Sequence, residues 1–137
     1  MTTINLTQDN FDQTVSQNDM VVVDFWAPWC APCRFFSPVF EAAAEKHADI
    51  VFAKVNTDEQ QQLAGMFGIR SIPTLMIMRD KVVLYHEAGA LPAQALDDIL
   101  EKARAIDMAK VHEEIEREQA EQAAQDTDPE APGASRG

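Results

Sequence analysis

The only two cysteines of the chain, Cys30 and Cys33, stand at the junction between a strand-like run and a helix-like run. Residues 20–26 before them are apolar apart from Asp24, which is typical of a central strand covered on both faces. Residues 35–48 after them carry apolar side chains at helical spacing. Two thiols at the N-terminus of a helix predict a dithiol redox site.

The remaining hydrophobic patterns predict an α/β domain with a mixed central sheet. The last two strand-like runs are separated by a short polar segment, which is typical of a β-hairpin. Strands are predicted at 4–6, 20–26, 50–56, 74–78 and 82–85. A first helix is predicted from an N-cap at Thr7 or Asp9 to about Gln17, and further helices at 33–48, 59–67 and from about Pro92 onward. Gly68 is expected to end the helix at 59–67 in a left-handed conformation.

Charge and hydropathy narrow the class of protein. The net charge of -12 disfavours binding to nucleic acid and to anionic membranes. No apolar run approaches the roughly 18 residues of a membrane span, and residues 1–5 lack the basic region and apolar core of a signal peptide. We therefore expect a cytoplasmic protein with neither nucleic-acid nor membrane partners. A lone cysteine pair in that compartment is more often catalytic than structural.

The position of each thiol predicts its role in thiol–disulfide exchange. Cys30 precedes the helix, so we expect it to face solvent and to act as the attacking thiol. The free N–H groups and the dipole of the helix N-terminus favour the thiolate and lower the pKa of Cys30. Cys33, in the first turn, is expected to point inward and to resolve the mixed disulfide. Pro32 keeps the turn between them stiff.

Two alternatives to redox chemistry fit less well. A structural zinc site needs four ligands, and the histidines available to join the thiols, His47, His86 and His112, are not at ligand-like spacing. A purely structural disulfide across two residues would close too small a loop to stabilise the chain much. We therefore expect no metal.

Four separated segments resemble the thioredoxin family in order and spacing: residues 23–33, 53–58, 67–75 and 89–91. The resemblance spans residues 4–105. It implies a thioredoxin fold, in which a central mixed sheet of about five strands is flanked by helices in three α/β/α layers. It also implies a protein-disulfide reductase that contributes to cell redox homeostasis.

The resemblance gives Asp24 and Lys54 roles that the residues alone leave open. From the sequence, Asp24 is either a residue at the edge or end of its strand or a functional buried acid. The resemblance implies the second: an acid beneath the active site that accepts the proton of Cys33 through water. Lys54 then matches the lysine close to that acid, which would hold the carboxylate charged.

The resemblance also implies a substrate groove. Pro73 matches a cis-proline packed opposite the cysteines, whereas the sequence alone would make it an ordinary turn proline. The backbone of Ile72 would pair there with an extended segment of the substrate. The side of the same groove would be lined by Trp29, Gly89 and Ala90.

The chain departs from the family at two positions. Ala31 stands where the family usually has glycine, so we expect retained activity with a modestly shifted reduction potential, tuned by Ala31 and Pro32. Pro92 replaces a common capping serine. Strongly oxidising relatives carry a histidine between the cysteines. This chain does not, so an oxidase or isomerase of secreted proteins is the weaker alternative.

Partners and cofactors follow from the resemblance. It implies disulfide-containing protein substrates, and recycling by a thioredoxin reductase that uses flavin and NADPH. The chain has no glycine-rich nucleotide motif, so we expect it to bind no cofactor itself. We expect a monomer.

The C-terminal part differs in kind from the rest. We place a thioredoxin-like domain at 1–107 and an acidic extension at 108–137, helical to about residue 124 and disordered from 126. The pair Glu113–Arg117 would support the helix. The extension carries an apolar stripe of its own, formed by Met108, Val111 and Ile115. Such a stripe could bind a partner, so a partner-binding or holdase module is the alternative function.

Overall fold

A computed structural model describes residues 2–126. The chain divides into two units, Met1–Ala105 and Ile106–Gly137, of which the structure describes residues 2–105 and 106–126. The boundary lies two residues before the one expected from the sequence, because the last helix of the first unit ends at Ala105.

The first unit is built on a five-stranded mixed sheet with the order β1-β3-β2-β4-β5. Strands β1, β3 and β2 are parallel, whereas β4 is antiparallel to β2 and β5 to β4. The strands are β1 Thr3–Asn5, β2 Met20–Trp26, β3 Val51–Asn56, β4 Thr74–Arg79 and β5 Val82–Ala88. The helices are α1 Phe11–Gln17, α2 Ala31–Lys46, α3 Gln61–Met66 and α4 Ala93–Ala105. This architecture confirms the predicted fold class.

Helices cover both faces of the sheet and complete two apolar cores. On one face, Phe36 and Phe40 of α2 and Leu96 and Leu100 of α4 pack on Val22, Phe52, Leu75 and Ile77 of the strands. On the other, Phe11 and Val15 of α1 and Leu63 of α3 pack on Val21, Val23, Val55 and Met76. Strand β2 is buried on both faces, as its continuous apolar run predicts. The end of β2 and the start of α2 are therefore held rigidly.

Several predicted boundaries move for local reasons. Helix α2 begins at Ala31, two residues early, because Cys30 itself caps it. Helix α3 starts only at Gln61, since the side chain of Asn56 accepts the backbone N–H of Asp58 at 2.9 Å and holds a turn there. Gly68 has φ of 64° and confirms the predicted left-handed residue.

The hairpin between β4 and β5 is tighter than predicted. Asp80 and Lys81 form a two-residue turn with φ of 52° and 68°, the sign that a twisted hairpin requires at both positions. Arg79 therefore belongs to β4, and β5 runs on to Ala88.

The described part of the second unit is helix α5, Met108–Asp126. It runs beyond the predicted end at about residue 124. Arg117 pairs with Glu114 at 3.3 Å, three residues away, rather than with the predicted Glu113. The disorder predicted for 126–137 is wrong for Asp126, which is helical, and otherwise lies outside the described residues. Among residues 2–126 no helix is long and apolar enough to cross a membrane.

Candidate active site

The two cysteines lie at the N-terminus of α2, directly after the turn that follows β2. Cys30 is the N-cap, and its Sγ accepts the backbone N–H of Cys33 at 3.2 Å. The two residues are joined by a disulfide, with Cα atoms 5.2 Å apart. Ala31 and Pro32 form the first turn between them, where the missing N–H of proline costs no helical hydrogen bond.

Both cysteines are buried in this disulfide form. Cys30 is 4% exposed and Cys33 is 2% exposed, so the expectation that Cys30 faces solvent is wrong here. The cause is the loop before β4, because Ile72 packs over the pair and its carbonyl oxygen lies 3.6 Å from Cys30 Sγ. A partner disulfide would therefore have to approach along this loop.

The loop that covers the cysteines contains a cis peptide bond between Ile72 and Pro73. The carbonyl of Pro73 accepts the backbone N–H of Gly89 at 2.8 Å, which ties this loop to the end of β5. Of the predicted groove residues, Gly89 thus lies beside Pro73, and Ala90 follows it at the surface.

A shallow groove of about 300 Å³ opens next to this loop. Trp29 and Ile72 line it together with Thr57, Gln61, Ala64, Gly65, Ile69 and Arg70. Trp29 is 67% exposed, and its Nε1 donates to the Asp58 carboxylate at 3.1 Å, which orients the indole at the rim. The structure therefore brings two of the five predicted substrate residues, Trp29 and Ile72, to one groove. The other three, Pro73, Gly89 and Ala90, lie outside its described lining.

Asp24 is fully buried in β2, and neither of its carboxylate oxygens has a hydrogen-bond partner among the described residues. Burial raises its pKa from 3.8 to about 7, although the Lys54 ammonium lowers it and the Glu41 carboxylate raises it further. Lys54 is paired with Asp24 in the register of β2 and β3, so both side chains lie on the sheet face that α2 covers. Lys54 thus lowers the pKa of Asp24 without holding the carboxyl ionised throughout the neutral range.

A small cavity connects this acid with the second cysteine. It measures about 90 Å³ and is lined by Asp24, Trp26, Cys33, Arg34, Ser37 and Lys54. That volume exceeds the space that one water molecule needs, and polar groups stand on several sides of it. The arrangement can carry a proton between Cys33 and Asp24 through water.

Two further polar residues belong to this site and were missed from the sequence. Lys54 Nζ donates to Ser37 Oγ at 3.0 Å and lies 3.5 Å from Glu41 Oε2. The signal was present, since Cys33, Ser37 and Glu41 recur every four residues along one face of α2. A polar position on a helix is usually a solvated one, so this spacing by itself does not indicate a site.

Comparison with known proteins gives this geometry a family. The family model described as Thioredoxin matches residues 2–102. The chain belongs to the thioredoxin family.

Individual relatives agree with the family match. A Streptomyces coelicolor protein named as a thioredoxin 2 is 51% identical over 119 residues, which cover 87% of this chain and 89% of that protein. A thioredoxin of Porphyra purpurea is 45% identical over 104 residues, with 74% of this chain and 97% of that protein covered. The Streptomyces match extends beyond Ala105 into the second unit.

Solved thioredoxin structures share the fold. A point-mutant thioredoxin from Halobacterium salinarum superposes with a TM-score of 0.68 at 37% identity, covering 73% of this chain and 88% of that one. Plasmodium falciparum thioredoxin superposes with a TM-score of 0.68 at 34% identity, and the match covers 73% of this chain and 97% of that one.

As a member of the thioredoxin family, the protein is a thiol–disulfide oxidoreductase whose redox-active group is the Cys30–Cys33 disulfide. Thioredoxins need no prosthetic group for this exchange. Within residues 2–126 no cluster of three or more histidine, cysteine, aspartate and glutamate side chains could hold a metal ion. Ala31 is exposed in the first turn of α2.

Proposed function

We propose that the protein reduces disulfides of other proteins, with Cys30 as the nucleophile. In the reduced form, the Cys30 thiolate attacks one sulfur of the target disulfide and releases the other target sulfur as a thiolate. The Cys33 thiolate then attacks the Cys30 sulfur and releases the second target thiolate. Two electrons pass to the target, and the Cys30–Cys33 disulfide re-forms.

Asp24 is the proposed proton acceptor for Cys33. The resolving thiol must lose its proton in a buried place, and the unpartnered carboxyl of Asp24 shares a cavity with it. A pKa of about 7 lets this carboxyl take up and give back a proton near neutral pH. Lys54, on the same sheet face, tunes that proton exchange. This shared cavity is the observation that carries the proposed mechanism.

The substrate segment is proposed to bind in extended form beside the cis-proline loop. The backbone of Ile72 is next to Cys30 Sγ, so a strand that pairs with it brings its own cysteine to the attacking sulfur. Trp29 offers an apolar rim to the groove on one side, and Pro73 with Gly89 and Ala90 forms the other edge of the proposed contact.

Recycling is proposed to follow the family. A thioredoxin reductase, with flavin and NADPH, would return the pair to the dithiol in the cytoplasm and so support redox homeostasis. The similarity to thioredoxins is the support for this step. The protein is proposed to act as a monomer.

The experiment compares reduction of a disulfide-bonded protein by the pre-reduced wild type, Cys30→Ser and Cys33→Ser. We expect Cys30→Ser to slow target reduction by at least about 100-fold, because no nucleophile remains at the helix N-terminus. Cys33→Ser is the matched variant, since it keeps the attacking thiol and should accumulate a mixed disulfide visible by mass spectrometry. Equal rates for wild type and Cys30→Ser would refute the proposal.

The acidic extension leaves the alternative of a partner-binding or holdase module. Helix α5 carries the apolar stripe Met108, Val111 and Ile115 on which that alternative depends. It stays a prediction, and a chain truncated before Met108 tests it. Unchanged partner capture and oligomeric state in the truncated chain would leave the extension without that role.

A further inference from the structure

Two anchors on α2 hold the ammonium group of Lys54. Ser37 Oγ accepts a hydrogen bond from Lys54 Nζ at 3.0 Å, and Glu41 Oε2 lies 3.5 Å from the same nitrogen. Lys54 Nζ also stands 5.2 Å from the centre of the Trp26 ring, on whose face a cation is stabilised. The ammonium is therefore held between α2 and Trp26 of β2, while the oxygens of Asp24 accept no hydrogen bond from the described residues.

The two anchors lie at different distances along the helix from the reacting thiol. Ser37 lies one turn after Cys33 and lines the same cavity as Asp24. Glu41 lies a further turn away, is half-buried, and accepts a hydrogen bond from Thr3 of β1 at 3.2 Å. Ser37 therefore draws the ammonium toward the cavity, and Glu41 draws it outward.

We propose that Ser37 and Glu41 are positioning residues that act on Lys54 in opposite directions, and that their balance sets how strongly the ammonium acts on the Asp24 carboxyl. The effect of this balance on catalysis rests on the proposed function of Asp24 as proton acceptor. Its effect on the position of Lys54 is independent of that proposed function. This gives the polar face of α2 a function in tuning the site in addition to its place in the fold.

The charges around Asp24 make its proton exchange sensitive to this balance. Lys54 faces it from β3, while Glu41 and the cavity-lining Arg34 are contributed by α2. From β4 its register partner is Leu75, which carries no charge. Lys54 lowers the pKa of Asp24 and Glu41 raises it, so the two partly cancel.

The test is a titration of the Asp24 carboxyl carbon by NMR in the full-length disulfide form, for which no catalysis is needed. In Glu41→Gln one negative charge is lost and Lys54 is free to approach Asp24, so the midpoint should fall by roughly 0.5 to 1 pH unit. In Ser37→Ala, Glu41 alone holds the Lys54 ammonium and draws it away from Asp24, so the titration midpoint of Asp24 should rise. Ser37→Thr keeps the hydroxyl and should restore the wild-type midpoint.

Glu45→Gln is the matched control, because Glu45 is an exposed residue of the same helix, one turn beyond Glu41. It removes the same charge and should leave the midpoint in place. Unmoved midpoints in both test variants, or movement in the same direction, would overturn the inference. Opposite movements without a matching change in the pH profile of target reduction would uphold it and count against the proposed role of Asp24.

Discussion

The two ends of helix α2 each have an aspartate near them, and the two carboxyls behave in opposite ways. Under the N-terminal end, Asp24 is buried without a hydrogen-bond partner among the described residues, and its pKa is raised to about 7. Beyond the C-terminal end, Asp49 receives two hydrogen bonds from Arg104, at 2.6 and 3.0 Å, which lower its pKa to about 2. The two pKa values differ because the surroundings of the two carboxyls differ, since both groups are aspartates with the same unperturbed pKa.

Side-chain hydrogen bonds link most of the polar groups at the C-terminal end of α2, although Arg104 Nε is buried without a hydrogen-bond partner among the described residues and lies 3.5 Å from Glu101 Oε2. His47 is buried, and its Nδ1 accepts from Arg104 Nη2 at 3.0 Å because a guanidinium can only donate. Its Nε2–H therefore donates to Asp97 at 3.2 Å, and Lys46 pairs with the same carboxylate at 2.6 Å. This network joins α2 to α4 and contains no group poised to exchange a proton with a reacting atom.

The protein thus buries an acid without a hydrogen-bond partner among the described residues next to the cavity of Cys33, where we propose that it accepts a proton. At one end of the helix, polar residues stabilise the fold. At the other, the raised pKa of Asp24 weakens the fold increasingly as pH rises from about 4 to about 7, and it suits the proposed chemistry.

The largest expected effect is a gain in stability for Asp24→Asn at pH 8. A carboxyl whose folded pKa is about 7 and whose usual value is 3.8 binds its proton more tightly in the folded state. The free energy of unfolding therefore falls as pH rises from about 4 to about 7, and the deficit persists above that. Chemical denaturation should show Asp24→Asn more stable than wild type by about 2–4 kcal/mol at pH 8, with little difference near pH 3.

The exposed residue Asp98 provides the control, since Asp98→Asn should leave stability almost unchanged at both pH values. The same Asp24→Asn variant should release mixed disulfides more slowly than wild type at neutral pH. A loss of stability at pH 8 would mean that the carboxylate is favourably solvated, and the contrast between the two ends of α2 would fail.

A smaller effect of opposite sign is expected at the other end of the helix. Asp97→Ala leaves the Nε2–H of buried His47 without its acceptor, which should cost about 1–3 kcal/mol in the free energy of unfolding. Hydrogen bonds from Lys46 and His47 lower the pKa of Asp97, so its stabilisation is present above the usual aspartate pKa and is lost as pH falls through the lowered one. The stability gap should therefore narrow in acid.

The rate at which Asp97→Ala reduces a target disulfide is the second measurement on this variant. Asp97→Ala should keep the wild-type rate, because the network lies at the far end of α2 from the cysteines. Asp98→Ala is the neighbouring control, with a stability change within about 0.5 kcal/mol. A slowed redox reaction in Asp97→Ala would show that the two ends are coupled.

The smallest effect is expected for Ala31→Gly in the first turn of α2. Glycine has more freedom to lose on folding, so stability should fall by about 0.5 kcal/mol. The reduction potential should move by less than about 30 mV, measured against a glutathione couple. Ala42→Gly, at an exposed position within the same helix, should cost about 1 kcal/mol and leave the potential unchanged. A larger change of potential for Ala31→Gly would assign the alanine a stronger tuning role.

Much of the fold was predictable because its strands and helices carry strong periodic signals. The buried run of β2, the amphipathic face of α2 and the positive φ of Gly68 are each dictated by local composition. The predicted starts of two helices were wrong because a side chain makes a hydrogen bond with the backbone that the hydrophobic pattern does not predict. Cys30 caps α2 and moves its start, and Asn56 holds a turn that delays α3.

The sequence by itself determined the redox pair, its helix and the type of domain around it, because each depends on neighbours in the chain. Only the tertiary structure decided how exposed Cys30 is and how Asp24 titrates. The first depends on the loop of Ile72, which is 42 residues away. The second depends mainly on the burial of Asp24, and then on Lys54 and Glu41 in two other elements. Burial and electrostatics are set by groups close in space, and the chain brings those groups together only when it folds.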